Sequence, residues 1–165
     1  MRPIIYWFRN DLRLHDNPAL WAAAQTGAPI LAVFIFDDLF LSQTELGFAR
    51  CGNRRKSYWQ NSVLALQQQL RQMGGELLVF QGDSVEIITS VYRQIDASAV
   101  YASHEYAFEE LEMERALSQQ VPLTLFWGNQ LFIPDVVGFS PPEAPFYYTA
   151  FKNKFWRNES SLAEV

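Results

Sequence analysis

Five short apolar runs punctuate this chain, separated by longer stretches of mixed polarity. Ile4–Phe8, Ile30–Phe36, Leu77–Phe80, Ala99–Ala102 and Leu123–Phe126 are rich in Ile, Val, Phe and Leu and nearly continuous in hydrophobicity. Parallel strands covered on both faces carry this pattern, whereas strands with one wet face alternate. The stretches Pro18–Gln25, Asn53–Met73, Ser84–Gln94 and Phe108–Gln119 are patterned as helices. Gly74-Gly75 supplies a left-handed C-cap to the longest of them. Glu109 and Glu110 fall in the first turn of the last, where the helix dipole favours anions. The alternation predicts an α/β fold: a single-domain, doubly wound, Rossmann-like five-stranded parallel sheet with helices on both faces. From Gly128 to Pro145 the pattern dissolves into a segment holding four of the eight prolines. Such a length reads as an exit segment or a functional loop. Residues 152–165 read as a terminal helix followed by a frayed tail.

Length and composition narrow this further. With 165 residues, 49% of them hydrophobic, the chain suits one domain that buries roughly 70% of its unfolded surface. A net charge of −5, with 13 scattered basic residues, argues against duplex DNA as a direct partner, because phosphate binding needs clustered cations. The single cysteine, Cys51, excludes an internal disulfide. Met1-Arg2-Pro3 leads straight into the first strand, and no apolar stretch approaches the ~20 residues that span a bilayer. A cytoplasmic protein with no membrane association is expected. Aromatics crowd near the C-terminus, at Phe146, Tyr147, Tyr148, Phe151, Phe155 and Trp156.

The chemistry-bearing motifs are few. Neither G-x-G-x-x-G nor G-x-x-x-x-G-K-[ST] occurs. Cys51, His15 and His104 do not form a metal-ligand set, and no nucleophile elbow is present. No catalytic residue and no metal site are therefore expected. The strongest local signal is the turn after the first strand, Arg9-Asn10-Asp11-Leu12-Arg13. It delivers charges to the carboxyl end of a strand, where open α/β sheets bind ligands. Arg9 and Arg13 have two readings: pairing with Asp11, Asp16 or Asp37 to organise the strand end, or gripping a carboxylate or phosphate bidentately.

Trp7 through Leu20 resembles the signature of the photolyase/cryptochrome family, W-F-R-x-D-L-R-x-x-D-N-x-A-L. Gly52, Arg55, Tyr58, Trp59, Ser62 and Val63 are similar to that family's G-x-x-R-x-x-F-L-x-x-S-[LV], with Tyr58 in place of Phe and Trp59 in place of an aliphatic residue. At a helix N-terminus, Arg54 and Arg55 are positioned to assist an anionic ligand. Tyr101-Ala102-Ser103-His104-Glu105-Tyr106 resembles the strand end where relatives hold an antenna chromophore. Trp127-Gly128-Asn129-Gln130-Leu131-Phe132 and Tyr148 to Trp156 resemble the exit from the α/β domain, most nearly in DASH-type cryptochromes.

The resemblance implies an antenna-chromophore-binding domain over residues 1–150 and, from 151 to 165, the start of a linker to a FAD-binding helical domain outside this chain. It implies Glu105 as acceptor for a pteridine-type ring edge, with His104 standing where some relatives have Asn. Arg9, Asp37, Asp38 and Arg55 complete the candidate binding set. The implied antenna is methenyltetrahydrofolate, a deazaflavin or FMN. FAD, DNA contact and blue-light repair of pyrimidine dimers (deoxyribodipyrimidine photo-lyase activity) belong to the helical domain of a full-length parent. Two rival readings are a free-standing nucleotide- or flavin-binding module without photochemistry, and an interaction protein that docks a helical partner through its C-terminal aromatics.

Overall fold

In a computed structural model that describes residues 1–130 and 143–156, all five apolar runs are strands. The order is β1 (Ile4–Phe8), α1 (Pro18–Gln25), β2 (Ile30–Asp37), α2 (Asp38–Leu41), α3 (Asn53–Gln72), β3 (Leu77–Gly82), α4 (Ser84–Gln94), β4 (Ala99–Ser103), α5 (Phe108–Ser118), β5 (Leu123–Phe126) and α6 (Tyr148–Trp156). The strands β2, β3 and β4 run one or two residues beyond their apolar cores, because ladder pairing continues into Asp37, Gly82 and Ser103. The four-residue α2 is an addition to the expected elements. α6 starts at Tyr148 rather than at residue 152. The expected tail, and most of the expected exit segment, lie outside the described residues. Residues 1–129 form one compact unit with all five strands, and residues 130–165 form a second that contains α6.

The sheet is parallel throughout, in the order β3-β2-β1-β4-β5. β1 lies at its centre, and all five of its residues are buried. Strand periodicity sends Ile5 and Trp7 into one core, with Val33, Ile35, Val100 and Ala102, against Ile88 and Val91 of α4 and Leu117 of α5. Ile4, Tyr6 and Phe8 enter the opposite core, with Ala32 and Phe34, against Ala19 and Ala23 of α1 and Val63 and Leu66 of α3. Each Val, Leu, Ile or Phe among them contributes roughly 1.5–3 kcal/mol on burial. The chain steps from β1 to β2 to β3 and then returns to place β4 on the other side of β1. The carboxyl ends of β1 and β4 thus sit side by side while their connections leave in opposite directions, which opens the ligand crevice of doubly wound sheets.

The ends of the helices follow from local chemistry. Asn17 caps α1, its Oδ1 accepting from Leu20 N at 3.1 Å, with Pro18 at the first helical position. α3 closes in a Schellman motif: Gly75 N donates to Leu70 O at 2.9 Å, and Gly74 N donates to Arg71 O at 3.0 Å. Gly74 takes φ +81 there, with open space where a Cβ would stand, so a side chain meets backbone strain and no clash. Gly74→Ala is expected to lower unfolding stability by about 1 kcal/mol, read as a fall in the urea midpoint at unchanged m-value. An unchanged midpoint would contradict this account of the cap.

Candidate functional site

The alternation that splits the β1 side chains between two faces continues as far as Arg9 and breaks at Asp11. Arg9 follows Ile5 and Trp7 toward the α4/α5 face, its guanidinium 4.7 Å above the Trp7 ring. Asp11 goes to the other side and is 1% exposed. Its carboxylate accepts from the Ser103 hydroxyl at 2.6 Å, Asn17 Nδ2 at 3.2 Å and the Arg9 backbone N–H at 2.9 Å. The Tyr6 hydroxyl lies 2.7 Å from Asp11 Oδ2 and 2.8 Å from Asn17 Oδ1, with one proton to give. Burial, and then the Asp11 charge, push the Tyr6 phenol above its ordinary range. Asp11 therefore ties β1, β4 and the start of α1 together.

A second buried carboxylate performs the equivalent task on the opposite face. Glu114 of α5 is 4% exposed. Its Oε1 accepts from Arg9 Nη1 and from the Glu105 backbone N–H at 2.9 Å, and its Oε2 lies 2.6 Å from His104 Nδ1. A carboxylate only accepts, which places the His104 proton on Nδ1. Arg9 Nη1 also donates to the Ser103 carbonyl at 3.2 Å, and the His104 ring stands edge-on to Trp127 at 4.2 Å between centroids. None of the three carboxylates expected to partner Arg9 does so through its side chain. The face alternation aims its guanidinium at α5, and Asp11, on the other face, takes only its backbone N–H.

A third acid at this end of the sheet, Glu105, is 6% exposed. Its Oε1 accepts from Asn10 Nδ2 and Asn129 Nδ2, both at 3.1 Å. Oε2 makes no hydrogen bond among the described residues. Burial pushes the Glu105 carboxyl above the ordinary glutamate range. Arg9 and the Asn10 hydrogen bond oppose the rise, while Asp11 and Glu110 add to it. Arg13 holds the Asn129 segment in place: its Nη2 donates to the Gly128 carbonyl at 2.7 Å and its Nε to the Asp16 carbonyl at 2.9 Å. Gly128 packs closely on the start of α1: a Cβ there would lie 3.2 Å from Pro18 Cδ, so a side chain would have to displace the ring by a few tenths of an ångström.

The remaining expected residues, Asp37, Asp38 and Arg55, make no hydrogen bond to Glu105 among the described residues. Both Asp37 oxygens accept from backbone amides, Leu39 N at 2.8 Å and Ser84 N at 2.9 Å, so Asp37 seats the starts of α2 and α4 on the end of β2. Exposed Asp38 accepts from Gln81 Nε2 at 3.4 Å. Arg55 lies near the start of α3, its guanidinium 4.8 Å above the Trp59 ring. It lines a concavity of about 420 Å³ with Asn10, Leu12, Arg13, Tyr58, Trp59 and Ser62. Arg9, Asn10 and Asp37 share a cavity of only about 40 Å³, bounded by Phe40 and Trp59. A pterin or flavin needs a site of roughly 300 Å³ or more; the concavity meets that size and the cavity admits little beyond water. No group of three or more His, Cys, Asp or Glu side chains is placed to hold a metal ion among the described residues. No helix there is long and apolar enough to cross a membrane.

Sequence reasoning missed Glu114, Asn10 and Asn129. Glu114 had a usable signal: it stands between Met113 and Leu117 on the apolar stripe of α5, where a carboxylate demands a partner. The two asparagines had none, being unspecified positions of their motifs.

Asp11→Ala leaves the Tyr6 and Ser103 hydroxyls without their charged acceptor, so a loss of about 3 kcal/mol in urea unfolding is expected, with Asp11→Asn milder. For Glu105 the sign follows from its raised folded-state value. The native state binds more protons than the unfolded state once pH exceeds the ordinary carboxylate range, so the wild type loses stability there as pH rises. Glu105→Gln should remove that slope, leaving it more stable than the wild type near neutrality but not in acid. Parallel stability–pH curves for the two proteins would contradict the assignment.

A family model described as DNA photolyase matches residues 4–164. A Cryptochrome DASH from Synechocystis sp. is 35% identical over 164 residues, covering 96% of this chain and 34% of that protein. A deoxyribodipyrimidine photo-lyase from Thermus thermophilus is 33% identical over 166 residues, covering 98% of this chain and 36% of that protein. The crystal structure of a Synechocystis sp. cryptochrome superposes with a TM-score of 0.93 at 34% identity, covering 98% of this chain and 35% of that one. The chain spans about a third of the length of these relatives. Sheet order, strand-end motifs and the family match agree: the chain belongs to the DNA photolyase family, as its N-terminal α/β domain.

Proposed function

We propose that this domain holds a light-harvesting antenna chromophore, of the methenyltetrahydrofolate, FMN or deazaflavin class, at the carboxyl ends of β1 and β4. The observation that carries the reading is Glu105: a buried carboxylate at the switch point of the sheet, fixed by two side-chain amides, with one oxygen that makes no hydrogen bond among the described residues. Such an oxygen suits the N–H edge of a pteridine or flavin ring. Asn10 belongs both to this group and to the 420 Å³ concavity, so the ring edge meets Glu105 and Asn10 while the rest of the ligand occupies the concavity. Tyr58 and Trp59 offer aromatic surface there, and Arg13 and Arg55 face an anionic tail or phosphate. When bound, the chromophore supplies near-ultraviolet or blue absorption and passes the excitation on by resonance. The residues of this chain bind and orient it.

In a longer chain, the acceptor of that excitation is FAD in a helical domain, and DNA contact and repair or signalling belong there. The exposed aromatics Phe146, Tyr147 and Tyr148 are surface available for such a partner. The test is absorption and fluorescence of the purified chain titrated with methenyltetrahydrofolate, FMN and a deazaflavin in turn. One of the three is expected to show shifted or quenched emission, weakened at least tenfold in Glu105→Gln. No spectral change with any of them, or equal binding by Glu105→Gln, would overturn the reading.

A further inference from the structure

Glu105 belongs to the four-residue connection between β4 and α5. A ligand-facing side chain on a loop keeps its geometry only if something rigid holds it. Among the described residues, its backbone N–H has one acceptor, the Glu114 carboxylate. The ring of the preceding residue, His104, is held by the other oxygen of the same group. Glu114 stands on a helix packed against the sheet, next to the partly buried Met113 and one turn before the buried Leu117.

Packing alone does not call for a charge at this position. Exchanging a buried ion pair for apolar residues is often neutral or stabilising, so a buried carboxylate is weak support for a stability role. What the carboxylate does, and an apolar side chain would not, is collect three donors from two strand ends: Arg9 Nη1 from β1, and Glu105 N and His104 Nδ1 from β4. We propose that Glu114 is the positioning residue of the site, fixing the β4–α5 turn so that the Glu105 carboxylate stands between the Asn10 and Asn129 amides. This inference rests on the reading that Glu105 meets the chromophore, but its structural half is testable without any ligand.

Glu114→Gln is the informative variant. It is isosteric, yet it offers one accepting oxygen where two serve three donors, and it turns an NH₂ group toward Arg9 or His104. Glu114→Asp keeps the charge for Arg9 and withdraws its oxygens from the Glu105 N–H, so it covers the case in which Glu114→Gln unfolds. Two measurements decide. In ¹⁵N–¹H spectra of the ligand-free chain, both variants should move the Asn10 and Asn129 side-chain amide signals toward free-amide positions and leave Asn53 in place. In chromophore titrations, Glu114→Gln should weaken binding about tenfold in the wild-type background, the scale of outer partners that orient ligand-holding groups. It should add nothing in the Glu105→Gln background, because both changes act through one group. Unmoved amide signals, or losses that simply add, would make Glu114 a stability residue and overturn the proposal. If the wild type binds none of the chromophores, the antenna reading falls, and the amide signals still decide the role of Glu114.

Discussion

A carboxylate taken out of water must be met by hydrogen-bond donors, and two of them set the geometry of this domain. Asp11 collects mainly neutral donors on the α1 face of the sheet, whereas Glu114 collects a guanidinium, an imidazole and a backbone amide on the α5 face. Each draws on the ends of β1 and β4, the two strands between which the order of connection reverses. The desolvation of each ion costs several kcal/mol before its partners are counted. Neither strand end can therefore shift without stranding a charge. Glu114 also accepts from the backbone N–H of Glu105, the residue on which the ligand reading rests.

The fold was legible because buried parallel strands and amphipathic helices have different periods. All five strands were marked by apolar runs, and the C-cap of α3 by Gly74-Gly75. What escaped was α2, a four-residue helix with no room for a repeating pattern. Its start is set by Asp37, whose carboxylate also receives Ser84 N, 47 residues away. A strand-end aspartate that caps two helix starts looks, in sequence, the same as one that waits for a ligand.

The site was less legible than the fold, for a reason of distance along the chain. Arg9 had three acids within reach by sequence, yet its guanidinium pairs with one 105 residues away. Only the strand order and the alternation of faces select α5 as its neighbour. Glu105 was identified through family resemblance, since an acid at a strand end carries no ligand signal of its own. Its surroundings became visible only in three dimensions: one oxygen engaged by two amides, and the other without a hydrogen bond among the described residues. Asp37 ends β2 and Asp38 starts α2, whereas Glu105 lies two residues beyond the end of β4.

The central position of β1 bears on how the chain is made. β1 leaves the ribosome before the other four strands, and β2 and β3 can join it while synthesis continues, building half of the sheet and the α3 face of the core. The other edge of β1 waits for β4, and the guanidinium of Arg9 waits for residue 114. Until then the nascent chain exposes a bare strand edge beside an unpaired cation, and such edges are templates for association with other chains. Closure of the sheet is therefore a late event of long sequence separation, the kind that slows folding. Before it, the open edge of β1 invites association with other chains; after it, the same residues lie buried at the carboxyl ends of β1 and β4.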